Sequence, residues 1–240
     1  MKRPVNVASE IVFRTLGRND LRAVATLRDE ILSHLPHPAD YIAHVDEDGF
    51  LESHVGAAGL CIGIEAHGRL GGFSLLTLDV RNAHLDPELV AAIARHNGGN
   101  QSFDRTCVLA ATMLHPDFRG KGLHREAIGL RLKIALERGR SKGFAMSSPW
   151  NTASLCNLLR MGARIRDLLS FADGRLRYLA IVTMRQQQAP TSGQPPVLVR
   201  IPDCAAQRVL FEAGYVGERI VAKGEELFLE LHPRATQARA

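Results

Sequence analysis

Arg119-Gly120-Lys121-Gly122 stands between an apolar, β-forming run, 106–114, and an amphipathic stretch that begins at Leu123. That order of residue types is suited to holding phosphate. Glycines let backbone approach an anion, the unpaired amides of a first helical turn point at it, and the helix dipole adds attraction. Arg119 and Lys121 add two cations suited to a pyrophosphate. His115-Pro116 closes the apolar run, and Asp117 to Gly122 form the polar turn into the helix.

Other reactive side chains form no such pattern. Cys61, Cys107, Cys156 and Cys204 are far apart, mostly among apolar residues, without CxxC or Cys/His spacing. They read as buried free thiols, and no metal site is expected. His34, His37 and His44 fall near one another in a Pro-containing loop without a ligand pattern. The net charge of +5 suits a polyanionic ligand, but aromatics are only 5% and are not interleaved with basic residues, which disfavours nucleic acid. No apolar run reaches the roughly 18 residues of a membrane span, and no apolar core follows Lys2-Arg3, so the cytoplasm is the default location.

The elements that must position the loop follow from periodicity. A strand at 10–16 leads to a helix with Leu21, Val24, Leu27, Ile31 and Leu35 on one face, closed by Pro36 and Pro38. Residues 41–59 either wall a binding site as a second helix or loop, or are plain surface. Runs at 60–66 and 72–78 around His67-Gly68-Arg69 read as a hairpin, and Asp86-Pro87-Glu88 opens a helix through Ile93, ended by 97–100. After the phosphate loop, Leu123, Ala127, Leu130 and Ile134 form an apolar stripe, with Arg125, Arg131, Lys133 and Arg138 mostly elsewhere. A strand at 143–149, a helix from Asn151 to Gly162, and a hairpin of 165–171 with 176–184 complete the body.

Residues 185–196 have linker composition, and beyond them lie a strand at 197–201, a helix at 204–213, a turn at Gly214-Tyr215 and a strand at 226–231. This β-α-β extension, 197–232, is either an added lobe over an acceptor site or a dimerisation element. Its apolar content (Val197, Val199, Ile201, Phe211, Leu229) favours a packed lobe, a homodimer stays open, and 233–240 is expected to be a disordered tail. The sum is α+β, a mixed, mostly antiparallel twisted sheet flanked by helices.

Arg119-Gly120-Lys121-Gly122-Leu123-His124 resembles the pyrophosphate-binding signature of the GCN5-related N-acetyltransferases, [RQ]-x-x-G-x-[GA], and 114–118 resembles its lead-in. Downstream, Asn151-x-x-Ser154 and then Gly162 resemble a second element of that family, N-x-x-[AS]-(x7)-G. The resemblance covers roughly 10–184 and implies the family's fold, with acetyl-CoA as co-substrate and an amine as acceptor.

It further implies that amides of Arg119, Gly120, Lys121, Gly122, Leu123 and His124 hold the pyrophosphate of coenzyme A. Main-chain groups of Met113 and Leu114 would meet the pantetheine arm, and the Leu114 amide would polarise the thioester carbonyl. Asn151 would sit beside the pantetheine, with Ser154 near it; a plain helix cap is the alternative reading of Asn151.

Three departures stand out. His124 replaces a small residue and either points outward or reaches a phosphate or the acceptor; Leu158 stands where many relatives carry an acidic Tyr; and 108–113 lacks the frequent basic Glu. Candidates for proton transfer are His54, His115, His124, Glu65 and Tyr178, of which His115 is preferred by its place at the strand end; Cys156 is read as structural. The expected reaction is direct attack of an amine on acetyl-CoA, with a small molecule as first acceptor and a protein N-terminus or lysine as second. The rivals are a silent acyl-CoA-binding module and a basic nucleic-acid binder.

Overall fold

A computed structural model describes residues 11–35, 47–81, 84–98, 100–184 and 194–234. The strands are β1 (Ile11–Leu16), β2 (Gly59–Ala66), β3 (Arg69–Thr77), β4 (Thr106–Leu114), β5 (Lys142–Ser147), β6 (Arg164–Ser170), β7 (Leu176–Thr183), β8 (Val197–Arg200), β9 (Tyr215–Lys223) and β10 (Glu226–Pro233). The helices are α1 (Leu21–Ser33), α2 (Glu47–Ser53), α3 (Pro87–Asn97), α4 (Leu123–Glu137), α5 (Thr152–Arg160) and α6 (Cys204–Glu212). Among the described residues, one sheet takes the ten strands in the order β1-β2-β3-β4-β5-β7-β6-β9-β10-β8. Every pairing is antiparallel except β4 with β5, the one place where a helix, α4, crosses between parallel neighbours.

The two faces of the sheet bury different helices, because alternate residues of a strand point to opposite sides. Phe73 and Leu75 of β3 pack against Val24, Leu27 and Ile31 of α1 and Phe50 of α2. Val108, Phe144 and Leu179 pack against Leu89, Ala92 and Ile93 of α3 on that same side. Leu76, Cys107, Ala145 and Ala180 meet Ile128, Ala135 and Leu158 of α4 and α5 on the other. The mostly antiparallel α+β sheet is thus the expected one, and residues 41–59 contain the helix α2. The proposed linker and tail fall largely on 185–193 and 235–240, outside the described residues, as do His37 and His44.

Two expectations need correction. The extension has a third strand, β9, where a turn at Gly214-Tyr215 was expected to lead onward: Gly217, Glu218 and Arg219 interrupt its apolar alternation and hide it in the sequence. The buried face of α4 is Leu123, Ala127, Ile128, Arg131 and Ala135, while Leu130 and Ile134 are only half-buried. The seam advances in steps of four residues, so it runs through an arginine that the expected apolar stripe left outside.

Candidate active site

The site begins with a defect in β4. Leu75 pairs with Ala111 but Leu76 pairs with Leu109, so Ala110 is an extra residue without a partner on β3. Such a bulge bends its strand and increases the local twist. β4 and β5 pair in register only from Thr106 with Lys142 to Val108 with Phe144. Beyond that point β4 runs on to Leu114 and β5 to Ser147, and the two diverge. The gap is a cleft enclosing about 1010 Å³ of atom-free space, its open mouth included, lined by both strands and by Phe50, Asp86, His124, Asn151 and Ser154 among others.

Backbone direction along β4 follows from one bond. The His115 amide donates to the Gly71 carbonyl at 2.9 Å, and Met113 lies opposite Phe73 in the same register. Bonded pairs recur at every second residue of an antiparallel ladder, so Met113 turns its amide and carbonyl to β3. The amides of Thr112 and Leu114 face the gap instead. Met113, expected to offer main-chain groups there, is therefore replaced in that position by Thr112.

The loop from His115 to Gly122 is built by local hydrogen bonds and by packing on β3. His115 Nδ1 accepts the Asp117 amide at 3.2 Å and so caps a short 3-10 turn, Pro116–Phe118. The Phe118 ring then lies against Gly71 of β3, where a Cβ would come within 2.0 Å of it. Arg119 returns to the strand end, its Nε donating to the Leu114 carbonyl at 3.0 Å. Gly120 and Gly122 adopt φ of 75° and 80°, a left-handed turn that costs other residues strain. Gly122 is also the N-cap of α4 and offers no side chain to the first turn, so the amides of Leu123 and His124 are left for a ligand. Lys121 lies over the Phe118 ring, 5.5 Å from its centroid.

His124 does not point outward. Its Nδ1 accepts from Asn157 Nδ2 at 3.2 Å, which leaves the proton of the neutral ring on Nε2. Burial, reinforced by the nearby Arg131 charge, lowers its pKa to about 4. Asn151 caps α5, its Oδ1 accepting the Ser154 amide at 3.1 Å, and both residues also line the cleft. Leu158 is buried in the cleft wall.

Arg131 lies behind the bulge with 2% of its surface exposed. Its Nη1 donates to the Leu75 carbonyl at 3.0 Å and the Ala111 carbonyl at 3.1 Å, and its Nη2 to Thr112 Oγ1 at 2.7 Å. Nε reaches the Ala127 carbonyl at 3.3 Å. The guanidinium thus ties α4 to a carbonyl of each strand beside the bulge. Burial brings its pKa down to about 9.

The remaining expected residues lie elsewhere. His115 is buried outside the cleft, with Nε2 3.1 Å from Glu30 and Nδ1 3.3 Å from Asp117. His54 bridges the Phe50 carbonyl and Thr77 Oγ1, Glu65 pairs with Arg14 at 2.7 Å, and the Tyr178 hydroxyl donates to Gln207 at 2.6 Å. Cys61 and Cys107 are buried thiols, Cys156 and Cys204 are half-buried, and all four are free.

Sequence reasoning missed three cleft residues. Thr112 follows only from register, and Arg131 looked like surface charge. Asp86 was read as a helix cap, which it is, its Oδ1 accepting the Glu88 amide at 2.9 Å. Burial, and then a hydrogen bond with the Glu88 carboxyl, raise its pKa to about 6.

No protein-family model matches the sequence, and a search of curated proteins finds no match. Solved structures do match. An acetyltransferase of the GNAT family from Streptococcus pneumoniae is 14% identical, with a TM-score of 0.52 over 73% of this chain and 99% of that one. A polyamine N-acetyltransferase from Drosophila melanogaster, also 14% identical, gives 0.54 over 73% of this chain and 100% of that one. YncA of Salmonella typhimurium, assigned as an acetyltransferase and solved with its cofactor acetyl-CoA, is 16% identical, with 0.54 over 77% and 99%. By this likeness the chain has the GCN5-related N-acetyltransferase fold.

Proposed function

We propose that the protein transfers an acyl group, acetyl in the simplest case, from acyl-CoA to the amine of a small molecule by direct attack. The observation that carries this reading is the gap between β4 and β5, where the amides of Thr112 and Leu114 face an unpaired cleft that ends at the uncapped N-terminus of α4. A pantetheine arm carries amides of its own and extends such a ladder, and a pyrophosphate suits the amides of Gly120 to His124 with Arg119 and Lys121 beside them. The Thr112 amide, nearer the bulge than Leu114, is the better placed donor to a thioester carbonyl, while Leu114 serves the arm. Asn151 and Ser154 border the same path from α5.

Catalysis here rests on placement. Holding a neutral amine against a thioester removes much of the entropic barrier, and Leu158 leaves the departing thiolate to take its proton from water or from the attacking nitrogen. Phe50, Leu85 and Leu89 line the cleft on the α2 and α3 side, an apolar wall that favours a small acceptor over a protein chain. Release of free thiol from acetyl-CoA, followed with a panel of small amines, tests the reading. Amine-dependent release is expected; tight binding of acetyl-CoA without turnover on any amine would indicate a silent binding module instead.

A further inference from the structure

We infer that Asp86, at the head of α3, is the general base that removes a proton from the acceptor's ammonium group. The inference rests on the proposed acyl transfer and adds a residue to it.

The argument is one of elimination within the cleft. Its titratable lining residues, among the described ones, are Asp86, His124, Arg131 and Arg177. Arg131 is tied to three carbonyls and a hydroxyl, and Arg177 donates to the Leu176 carbonyl at 2.7 Å. Both guanidiniums lack a lone pair to accept a proton. His124 spends Nδ1 on Asn157, beside the phosphate loop. Asp86 alone is a carboxylate, and it stands on the other face of the sheet. With Leu85 and Leu89 it joins Phe50 around the bulged Ala110, whereas Asn151, Ser154 and His124 border the path assigned to the co-substrate. A nucleophile that enters the cleft along the α3 side meets Asp86.

The step balances. The Asp86 carboxylate takes one proton from R-NH3+, and the freed lone pair forms the N–C bond as the carbonyl π electrons move to oxygen. The C–S bond then breaks, the thiolate takes the second proton lost by nitrogen, and Asp86 returns its own proton to solvent.

The surroundings tune this base to neutral pH. Glu88 of α3 shares a hydrogen bond with it, Asp173 of the β6–β7 turn lies near Glu88, and Arg177, Arg131 and His124 face the cleft from β7 and α4. His124 titrates well below the range of Asp86 and Arg131 above it, so an acidic limb near pH 6 is assigned to Asp86.

Asp86→Asn separates base from cap, because asparagine caps helices as well as aspartate does. Full-length wild type and variant are assayed by thiol release from acetyl-CoA with ethylamine and benzylamine, and with hydroxylamine, which is largely unprotonated at neutral pH. Acetyl-CoA binding is measured in parallel. The inference predicts a loss of about 100-fold or more in kcat/KM for the alkylamines, disappearance of the acidic limb, a loss under about 5-fold for hydroxylamine, and unchanged acetyl-CoA affinity. Glu88→Gln should move the limb to lower pH. A retained limb in Asp86→Asn, or an equal loss with all three nucleophiles, overturns the assignment of Asp86 alone. A wild type that binds no acetyl-CoA, or that turns over none of the nucleophiles, overturns the acyl-transfer reading itself.

Discussion

His124 and Arg131 carry the least expected chemistry of the chain, since each puts an ionisable group into a buried wall. For His124 the folded pKa, about 4, lies below the ordinary 6.5. Its neutral form therefore contributes stability that is fully present above pH 6.5 and is lost as pH falls toward 4, about 3 kcal/mol across that window. His124→Gln, which can still accept from Asn157, should flatten this loss, as urea midpoints at pH 7 and pH 4.5 would reveal. Arg131→Met removes a desolvated charge but takes one hydrogen bond from each of the Leu75 and Ala111 carbonyls, the latter keeping that from Ser74 Oγ, so stability should change by no more than about 2 kcal/mol. The same variant should lower kcat about 10-fold or more while KM for acetyl-CoA moves little, because the bulge that places Thr112 loosens; Arg131→Lys should recover only part of the rate, since it cannot span both carbonyls. An unchanged kcat in Arg131→Met would contradict that role. His124 was legible in the sequence as a departure from the loop pattern but not as a buried group, and Arg131 was not legible as part of the wall. Arg131 has the spacing of a core position and the chemistry of a surface one, and only the strand it faces decides between them.

The elements around the loop were read more fully, because glycines, prolines and caps act locally. Arg119 to Gly122, the Asn151 cap and the start of α3 follow from nearest neighbours in sequence. The place of His115 does not. It ends the strand as expected, yet its ring turns to Glu30 of α1, because only tertiary packing fixes which side of the sheet a strand-end residue takes. The same holds for Thr112 against Met113, a choice set by the register with β3. Gly71 exposes how far the loop depends on this packing. In Gly71→Ala the new Cβ falls 2.0 Å from the Phe118 ring and must push the 3-10 turn outward. Melting should show about 1–3 kcal/mol of destabilisation, with a KM for acetyl-CoA raised several-fold. Adding Phe118→Ala should restore part of the affinity; no recovery would mean that Gly71 acts otherwise.

At the scale of the molecule, the C-terminal strands continue the sheet. Ile165 of β6 lies opposite Gly217 of β9, and Leu155, Ile165, Leu168 and Tyr178 pack with Val199, Ile201, Phe211, Leu229 and Leu231. Gln207 of α6 holds the buried Tyr178 hydroxyl and the carbonyls of Arg200 and Ile201. Ending the chain at Met184 would bare that core and an edge strand, so the shortened protein should be insoluble or melt at a markedly lower temperature; a soluble, equally stable product would make the extension dispensable. Sequence composition exposed the apolar content of this region, but Glu218 and Arg219 in β9 concealed how it joins the rest.

All of these expectations depend on acyl-CoA occupying the cleft, and calorimetric titration of the full chain with acetyl-CoA tests that directly. One site per chain is predicted, with affinity at least about 10-fold weaker in Arg119→Ala/Lys121→Ala, since each charge-assisted phosphate contact contributes on the order of 1.5–3 kcal/mol. No binding by the wild type, or binding that the double substitution leaves unchanged, would contradict the account.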